Sequence, residues 1–298
     1  MVKTFTVGGV AVLGGDRRQV MVAEAFHSSA AWVKTLGLTD LPPLPRLSPA
    51  TSLQEALAGA EIIILPISGA DDRGLVRCSD PAVQIKVDAG FFALAERKAL
   101  LVTGRLPSAL KQLAAERGIR VFEYAEHDGI AIPNAVPTAE GAIQLMMEET
   151  PFTVAGSSCL VLGFGRVARA LVPRLLALGA KVTVAARNPA QLAEAGRIGG
   201  QPLPLCRLAG AIGQAEVVFN TIPALVLPGD LLEKMAPGTL VIDLASAPGG
   251  VDFEAAKRYG IKAILALGLP GKVAPLTAGR ILATELPGLI KQELGRRV

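Results

Sequence analysis

The chain has 298 residues, long for a single core and comfortable for two domains. It is 51% hydrophobic and 19% charged with few aromatics, which describes a compact globular protein whose core is mostly Ala, Val, Leu and Ile, as suits parallel sheets covered by helices. The net charge of +4 comes without any Lys/Arg-rich block, so nucleic-acid binding gains no support, whereas an anionic small molecule is compatible. No apolar stretch approaches a membrane span, and the N-terminus lacks a secretory signal. Cys78, Cys159 and Cys206 have no metal-ligand spacing, so no metal is expected, and three scattered cysteines suit a reducing cytoplasm.

The first block alternates strands and helices, the pattern of a parallel sheet. A strand over residues 10–13 opens into Gly14-Gly15-Asp16-Arg17-Arg18-Gln19 and a helix to about Ser28. Residues 39–51, with Pro42, Pro43, Pro45 and Pro49, read as a loop. Strands follow over 61–65, 98–102 and 118–122, with a helix over 108–117 between the last two. Thr138 then reads as the N-cap of a helix running to about Glu149. The expected organisation is therefore an N-terminal flavodoxin-like domain over 1–134, a linker helix over 135–150 and a second α/β domain over 151–275.

In the second block an apolar strand over 159–162 runs straight into Gly163-Phe164-Gly165-Arg166-Val167-Ala168, a G-x-G-x-x-A turn. Gly163 permits the tight turn, Gly165 lets backbone approach a pyrophosphate, and Ala168 lets the following helix pack close on the strand. The helix N-terminus then offers N–H groups and partial positive charge to the phosphates. Pro173 lies inside this helix and predicts a kink or short break.

The next strand, over 181–185, ends at Ala186-Arg187-Asn188-Pro189 with no acid. An acid there accepts hydrogen bonds from the ribose of NAD and repels a 2′-phosphate; Arg187 instead pairs with that phosphate and Asn188 adds a neutral donor. The cofactor favoured is NADP.

Strands over 216–219, 239–242 and 262–265 complete the Rossmann pattern, and ligands of such sheets bind at the carboxyl ends of strands. Asn220-Thr221-Ile222-Pro223 and the loop carrying Ser246 are placed to line the nicotinamide ribose, and Lys272 to bring positive charge toward the reacting ring; each loop also reads as ordinary turn chemistry. A last helix over 276–297, with Ile281, Leu282, Leu286, Leu289, Ile290 and Leu294 on one face, is expected to cross back onto the first domain.

Taken together, Gly14-Gly-Asp-Arg-Arg-Gln19, Asn134-Ala-Val-Pro-Thr-Ala-Glu-Gly141, Val161-Leu-Gly-Phe-Gly-Arg166, Asn220-Thr-Ile-Pro223, Leu244-Ala-Ser246, Pro248-Gly-Gly250 and Gly268-Leu-Pro-Gly-Lys272 closely resemble the A-subunit family of dipicolinate synthases, in the same order over nearly the whole chain. The resemblance implies oxidation of dihydrodipicolinate to dipicolinate in spore-forming bacteria, with NADP⁺ as acceptor. It implies a partner too, the flavoprotein-like B subunit of dipicolinate synthase. A homo-oligomer is expected as well. The implied architecture is similar to that of D-2-hydroxyacid dehydrogenases, two doubly wound α/β domains with the substrate held between them.

Aromatisation of a cyclic dicarboxylate removes one hydride and one proton and needs somewhere to put two carboxylates, which calls for Arg, Lys or helix N-termini. The substrate-binding candidates are Asp16, Arg17, Arg18, Asn134, Thr138 and Ser246; either arginine also reads as a solvated first-turn residue. Lys272, Glu140 and His127 are the catalytic candidates, the last two as proton acceptor, although gain of aromaticity lowers the demand on any base. The cofactor candidates are Gly163, Phe164, Gly165, Arg166, Val167, Arg187, Asn188, Asn220, Thr221, Ile222 and Pro223.

Three rival readings remain. A D-2-hydroxyacid dehydrogenase wants a catalytic His in its cofactor half, yet the chain has only His27 and His127, both in the first half. A shikimate-dehydrogenase-like enzyme shares an Arg after the second strand but not the motifs at 134–141 and 248–250. A non-catalytic NADP-binding subunit that structures or regulates a complex would look the same in sequence.

Overall fold

A computed structural model describes residues 7–246 and 248–295. The chain divides into two compact units: residues up to Ala131 together with those from Ala274 onward, and Ile132–Val273.

The first unit is built from β1 (Val7–Leu13), α1 (Arg17–Phe26), β2 (Ala30–Leu36), β3 (Leu47–Pro49), α2 (Leu53–Leu57), β4 (Ala60–Ile64), a small antiparallel hairpin of β5 (Leu75–Val76) and β6 (Ile85–Lys86), α3 (Ala89–Leu94), β7 (Leu100–Thr103), α4 (Ser108–Glu116) and β8 (Arg120–Glu123). Its main sheet is parallel throughout, in the order β3-β2-β1-β4-β7-β8. Side chains alternate across it, Ala11, Leu13 and Ile63 into one core and Val10, Val12, Ile62 and Ile64 into the other, so both faces are covered. Winding reverses between β1 and β4, which makes the carboxyl ends of those two strands the switch point of the sheet.

Two strands of the main sheet were not expected, and neither was the hairpin of β5 and β6. The run Ala30-Ala-Trp-Val-Lys-Thr-Leu36 shows neither a continuous apolar stretch nor a clean alternation, yet β2 pairs with β1 along its length. β3 lies in the proline-rich stretch read as loop; it is a three-residue edge strand ending at Pro49, a place where a missing N–H costs no ladder bond. β1 also starts three residues earlier than the apolar run, at Val7, because Gly8 and Gly9 are strand residues and not breakers. A Cβ on Gly9 would stand 1.9 Å from the Trp32 ring, and Gly9 is opposite Trp32 in the register.

α5 (Asp128–Glu149) corrects the expected linker helix over 135–150. Thr138 is not its N-cap. The helix begins ten residues earlier and runs through Pro133 and Pro137, while the Thr138 hydroxyl donates to Asn134 O at 2.8 Å inside it. His127 caps the true start, its Nδ1 accepting from Gly129 N at 3.2 Å. Proline in a helix interior costs about 3 kcal/mol. The offset is packing: Ala139, Ala142, Ile143 and Met146, at helical spacing, are buried in the core of the second unit.

That unit continues with β9 (Ser158–Leu162), α6 (Arg166–Ala177), β10 (Lys181–Ala186), α7 (Pro189–Arg197), β11 (Gln201–Pro204), α8 (Leu208–Ala211), β12 (Val217–Asn220), α9 (Gly229–Leu232), β13 (Leu240–Asp243), α10 (Phe253–Arg258), β14 (Lys262–Leu265) and α11 (Leu269–Val273). The parallel sheet has the order β11-β10-β9-β12-β13-β14, with its switch point between β9 and β12. β11 is a second unexpected edge strand carrying prolines, Pro202 and Pro204. α6 passes through Pro173 without interruption, held by its buried face of Ala168, Leu171, Val172 and Leu175.

α12 (Pro275–Gly295) belongs to the first unit, where Leu282, Leu286, Leu289 and Ile290 share a core with Val20, Ala23 and Phe26 of α1. Its closest approach is at Gly279, where a Cβ would lie 2.4 Å from Met21 Sδ. Ile281 and Leu294 are only half-buried, and the part of the expected helix beyond Gly295 lies outside the described residues.

Gly9→Ala should therefore lower the stability of the first unit by about 1–3 kcal/mol through overpacking against Trp32. A shrunken partner, Gly9→Ala with Trp32→Leu, should recover part of that loss in a double-mutant cycle read by thermal melting. Additive losses would show that the ring does not set the requirement for glycine.

Candidate functional site

At the carboxyl ends of β9, β10 and β12 the second unit holds a cavity of about 240 Å³, lined by Gly163, Phe164, Gly165, Ala186, Arg187, Asn188, Gln191, Thr221, Ile222 and Pro223. Its floor is the glycine turn. Gly163 has φ +89°, and a Cβ on it would stand 2.6 Å from Thr221 Oγ1 and 2.9 Å from Ile222 Cγ1, so the turn closes directly on the loop after β12. Thr221 fixes that contact by donating to Leu162 O at 2.8 Å. Gly165 is the opposite case. A Cβ there would meet nothing within 4 Å, so no packing among the described residues requires a glycine at this position. The open space is what a pyrophosphate would use. Gly165 is also the N-cap of α6 and brings no side chain to satisfy the first-turn N–H groups.

The remaining lining residues divide by role. The Phe164 side chain is buried in the core, so only its backbone faces the cavity. Arg166 and Val167, expected to bind the cofactor, sit in the half-buried first turn of α6 and are not among the residues that line the cavity. Arg187 is exposed at the end of β10, and Asn188 uses its Oδ1 to cap α7, accepting from Ala190 N at 2.9 Å. The lining contains no carboxylate. These residues fit a dinucleotide in shape and charge.

Asn220 turns out to serve the protein and not the cavity. It is fully buried: its Nδ2 donates to Asp243 Oδ1 at 2.8 Å and to Ile222 O at 3.0 Å, and its Oδ1 accepts from Ile222 N at 3.0 Å. Asp243, equally buried, accepts further from Ala245 N at 3.1 Å and Gly250 N at 2.9 Å. One Asn–Asp pair thus ties together the loops that leave β12 and β13. Asp243 was missed in the sequence, although an acid closing the apolar run Leu240-Val-Ile-Asp243 was a usable signal; Gln191 and Ala186 carried none.

In the first unit the two arginines of the Gly14-Gly15 turn separate. Asp16 caps α1, its Oδ1 accepting from Arg18 N at 3.0 Å, and the same carboxylate grips the Arg18 guanidinium through Nε at 2.9 Å and Nη2 at 2.7 Å. Burial pushes the Asp16 carboxyl up, but the hydrogen bonds and charge of Arg18, with Arg77 adding to the charge, hold it below its usual range. Arg17 points elsewhere, into a cavity of about 450 Å³ with Glu24, Thr39, Asp40 and Ser79.

The other candidates do not line the dinucleotide cavity. Glu140 is paired with Arg174 of α6 at 3.5 Å. Lys272, on α11, lines a separate groove of about 210 Å³ with Gln144 and Glu148 of α5. His127 is an exposed helix cap, and Thr138 is bonded within α5. Asn134 is buried, its Oδ1 without a partner among the described residues, and Ser246 is exposed with its carbonyl accepting from Gly249 N at 2.9 Å.

Asp243→Asn should cost about 1–3 kcal/mol, because an amide at this position would turn an NH₂ toward the Gly250 or Asn220 donors. The same variant should weaken dinucleotide binding by loosening residues 220–223. A melting temperature and a cofactor affinity both equal to wild type would remove the Asn–Asp tie from the site.

Comparison with known proteins extends these observations. The model for the N-terminal domain of the dipicolinate synthase A subunit matches residues 9–125, and that for NADP oxidoreductase, coenzyme F420-dependent, matches residues 159–247. The chain is 34% identical over 284 residues to the A subunit of dipicolinate synthase from Bacillus subtilis (strain 168), covering 95% of this chain and 96% of that one. The crystal structure of the corresponding A subunit from Bacillus halodurans is 36% identical with a TM-score of 0.89, covering 96% of this chain and 98% of that one. D-Lactate dehydrogenase from Escherichia coli, at 15% identity, covers 96% of this chain and 97% of that one with a TM-score of 0.64, a likeness of fold alone. With two parallel doubly wound sheets, a dinucleotide turn in the second and a relationship that runs nearly end to end, the chain belongs to the A-subunit family of dipicolinate synthases and is an oxidoreductase that depends on a nicotinamide cofactor.

Proposed function

We propose that the chain oxidises dihydrodipicolinate to dipicolinate with NADP⁺ as acceptor, in the cytoplasm of a spore-forming bacterium, as a homo-oligomer working with a flavoprotein-like second subunit. The observation that carries the cofactor choice is the acid-free lining around Arg187. A carboxylate at the end of β10 would repel a 2′-phosphate; Arg187 offers it a planar, permanently charged fork, and Asn188 keeps its Nδ2 as a neutral donor. The relatives' names support the substrate, and no helix among the described residues is long and apolar enough to cross a membrane.

The reaction removes one hydride and one proton from the ring and leaves an aromatic pyridine. When bound, the nicotinamide supplies the hydride acceptor. The residues of the chain do the rest by placement. Gly163, Gly165 and the head of α6 hold the pyrophosphate, and the loop 220–223, set by the Asn220–Asp243 tie, fixes one wall of the cavity. Glu140 and His127 are engaged with Arg174 and with the start of α5, and the reaction needs neither as a dedicated base, since aromatisation makes the departing proton acidic. Lys272 stands apart, in its own groove.

Freshly prepared dihydrodipicolinate should reduce NADP⁺ in the presence of the purified chain, tested both alone and with its partner, and NADP⁺ should be preferred to NAD⁺. Arg187→Ala should weaken NADP⁺ binding by about tenfold or more, the loss of one charge-assisted contact, and leave NAD⁺ binding unchanged. Equal use of NAD⁺ by the wild type would overturn the cofactor assignment; failure to turn over with either nucleotide, while both still bind, would overturn the substrate.

A further inference from the structure

The carboxyl end of the first sheet has its own switch point, where the loop after β1 meets the loop after β4. Three close approaches shape it. Gly15, at φ +101°, sits against Pro66, where a Cβ would come within 3.3 Å. A Cβ on Gly104 would meet Ile67 O at 1.8 Å, locking the loop after β7 onto the loop after β4. On the other side Gly15 N donates to Arg77 O at 2.6 Å, which brings the segment after β5 up to the same turn.

Charge collects at this switch point. The Arg18 side chain is only 15% exposed, and Asp16 takes two of its five guanidinium N–H groups, from Nε and Nη2. The other three have no acceptor among the described residues. Such a group, drawn this far out of water with its fork held rigid by a carboxylate behind it, is prepared to receive an oxyanion in front. Tyr124 closes the floor, fully buried with its hydroxyl donating to Leu65 O at 3.0 Å at the end of β4. Arg77 is exposed beside the Gly15 turn, and its charge reaches the Asp16 carboxylate.

The geometry points to Arg18 and Arg77 as the pair that receives the two carboxylates of the substrate, with Asp16 as the positioning residue that orients Arg18, and with Arg17 outside the site. This rests on the proposed reading of the substrate as a cyclic dicarboxylate. Two cations on separate loops suit a rigid ring with carboxylates on opposite sides of its nitrogen. Arg17, although adjacent in sequence, shares its cavity with the acids Glu24 and Asp40, which disfavour an anion.

The test uses pyridine-2,6-dicarboxylate as the probe, titrated calorimetrically into the full chain with and without NADP⁺. Arg18→Met and Arg77→Met should each weaken binding by about tenfold or more, while Arg17→Met stays within about twofold of wild type. NADPH binding to the second unit, read in parallel, should be unchanged in all three, and a wild-type thermal melting transition reports that the first unit is folded. Because Arg77 is exposed, its variant stays informative even where Arg18→Met destabilises α1. Asp16→Asn keeps a good N-cap but loses the charge that orients Arg18, so it should weaken the probe as Arg18→Met does; wild-type affinity would leave Asp16 with capping alone. Wild-type affinity in both Arg18→Met and Arg77→Met, or loss confined to Arg17→Met, would overturn the inference and leave the proposed reaction standing. No binding of the probe by the wild type, with NADPH still bound, would remove the dicarboxylate reading itself and the inference with it.

Discussion

Backbone has to meet backbone at the carboxyl ends of both sheets. In a doubly wound sheet the two central strands send their chains in opposite directions, and the loops that leave them must fold over the gap without filling it. Here that is done by removing side chains where loops touch. Gly163 lies against Thr221 and Ile222, Gly15 against Pro66, Gly104 against Ile67, and Gly69 against Arg105 O, where a Cβ would stand 1.8 Å away. Three of these, Gly163, Gly15 and Gly69, sit at φ values that other residues rarely adopt. These contacts let loops approach one another over strands whose buried residues are mostly apolar.

On that shared frame the two units are furnished differently. In the second, the residues that line the cavity are neutral or basic, and a nearby acid, Asp243, spends its oxygens on Asn220, Ala245 and Gly250. A buried carboxylate that is fully hydrogen-bonded holds loops in place without adding charge to the surface they form. In the first unit the acid of the turn, Asp16, is likewise consumed, by a helix N-terminus and by Arg18. Both units therefore use an Asp as an internal brace at a strand end. What reaches solvent beside each brace is a set of donors, which is the chemistry that anionic ligands require.

Much of this was legible in the sequence where one residue decides one thing. The glycine turn at 163–165, the missing acid after Ala186, and the alternation of apolar runs with helical stretches each have a local cause. Edge strands were not legible. β3 and β11 carry prolines, and proline rules out a strand only where a neighbour needs its N–H; whether a strand has such a neighbour is settled by the order of the sheet. The start of α5 was hidden for a related reason. Pro133 and Pro137 argue locally for a break, and only the burial of Ala139, Ala142, Ile143 and Met146 carries the helix through them.

By itself, then, the sequence determined the class of fold, the place of the dinucleotide turn and the charge around it, because steric freedom at glycine and the sign of a side chain belong to the residue. Partnership was decided only by the tertiary structure. Arg17 and Arg18 are equivalent as letters, yet Arg18 is clamped by Asp16 and Arg17 shares a cavity with two acids. Asn220 stands in a loop that reads as ligand-facing, yet its amide is used up inside the protein by Asp243, 23 residues away. A hydrogen bond satisfied by the protein is closed to a ligand, and which groups are satisfied follows from distances that only the folded chain sets.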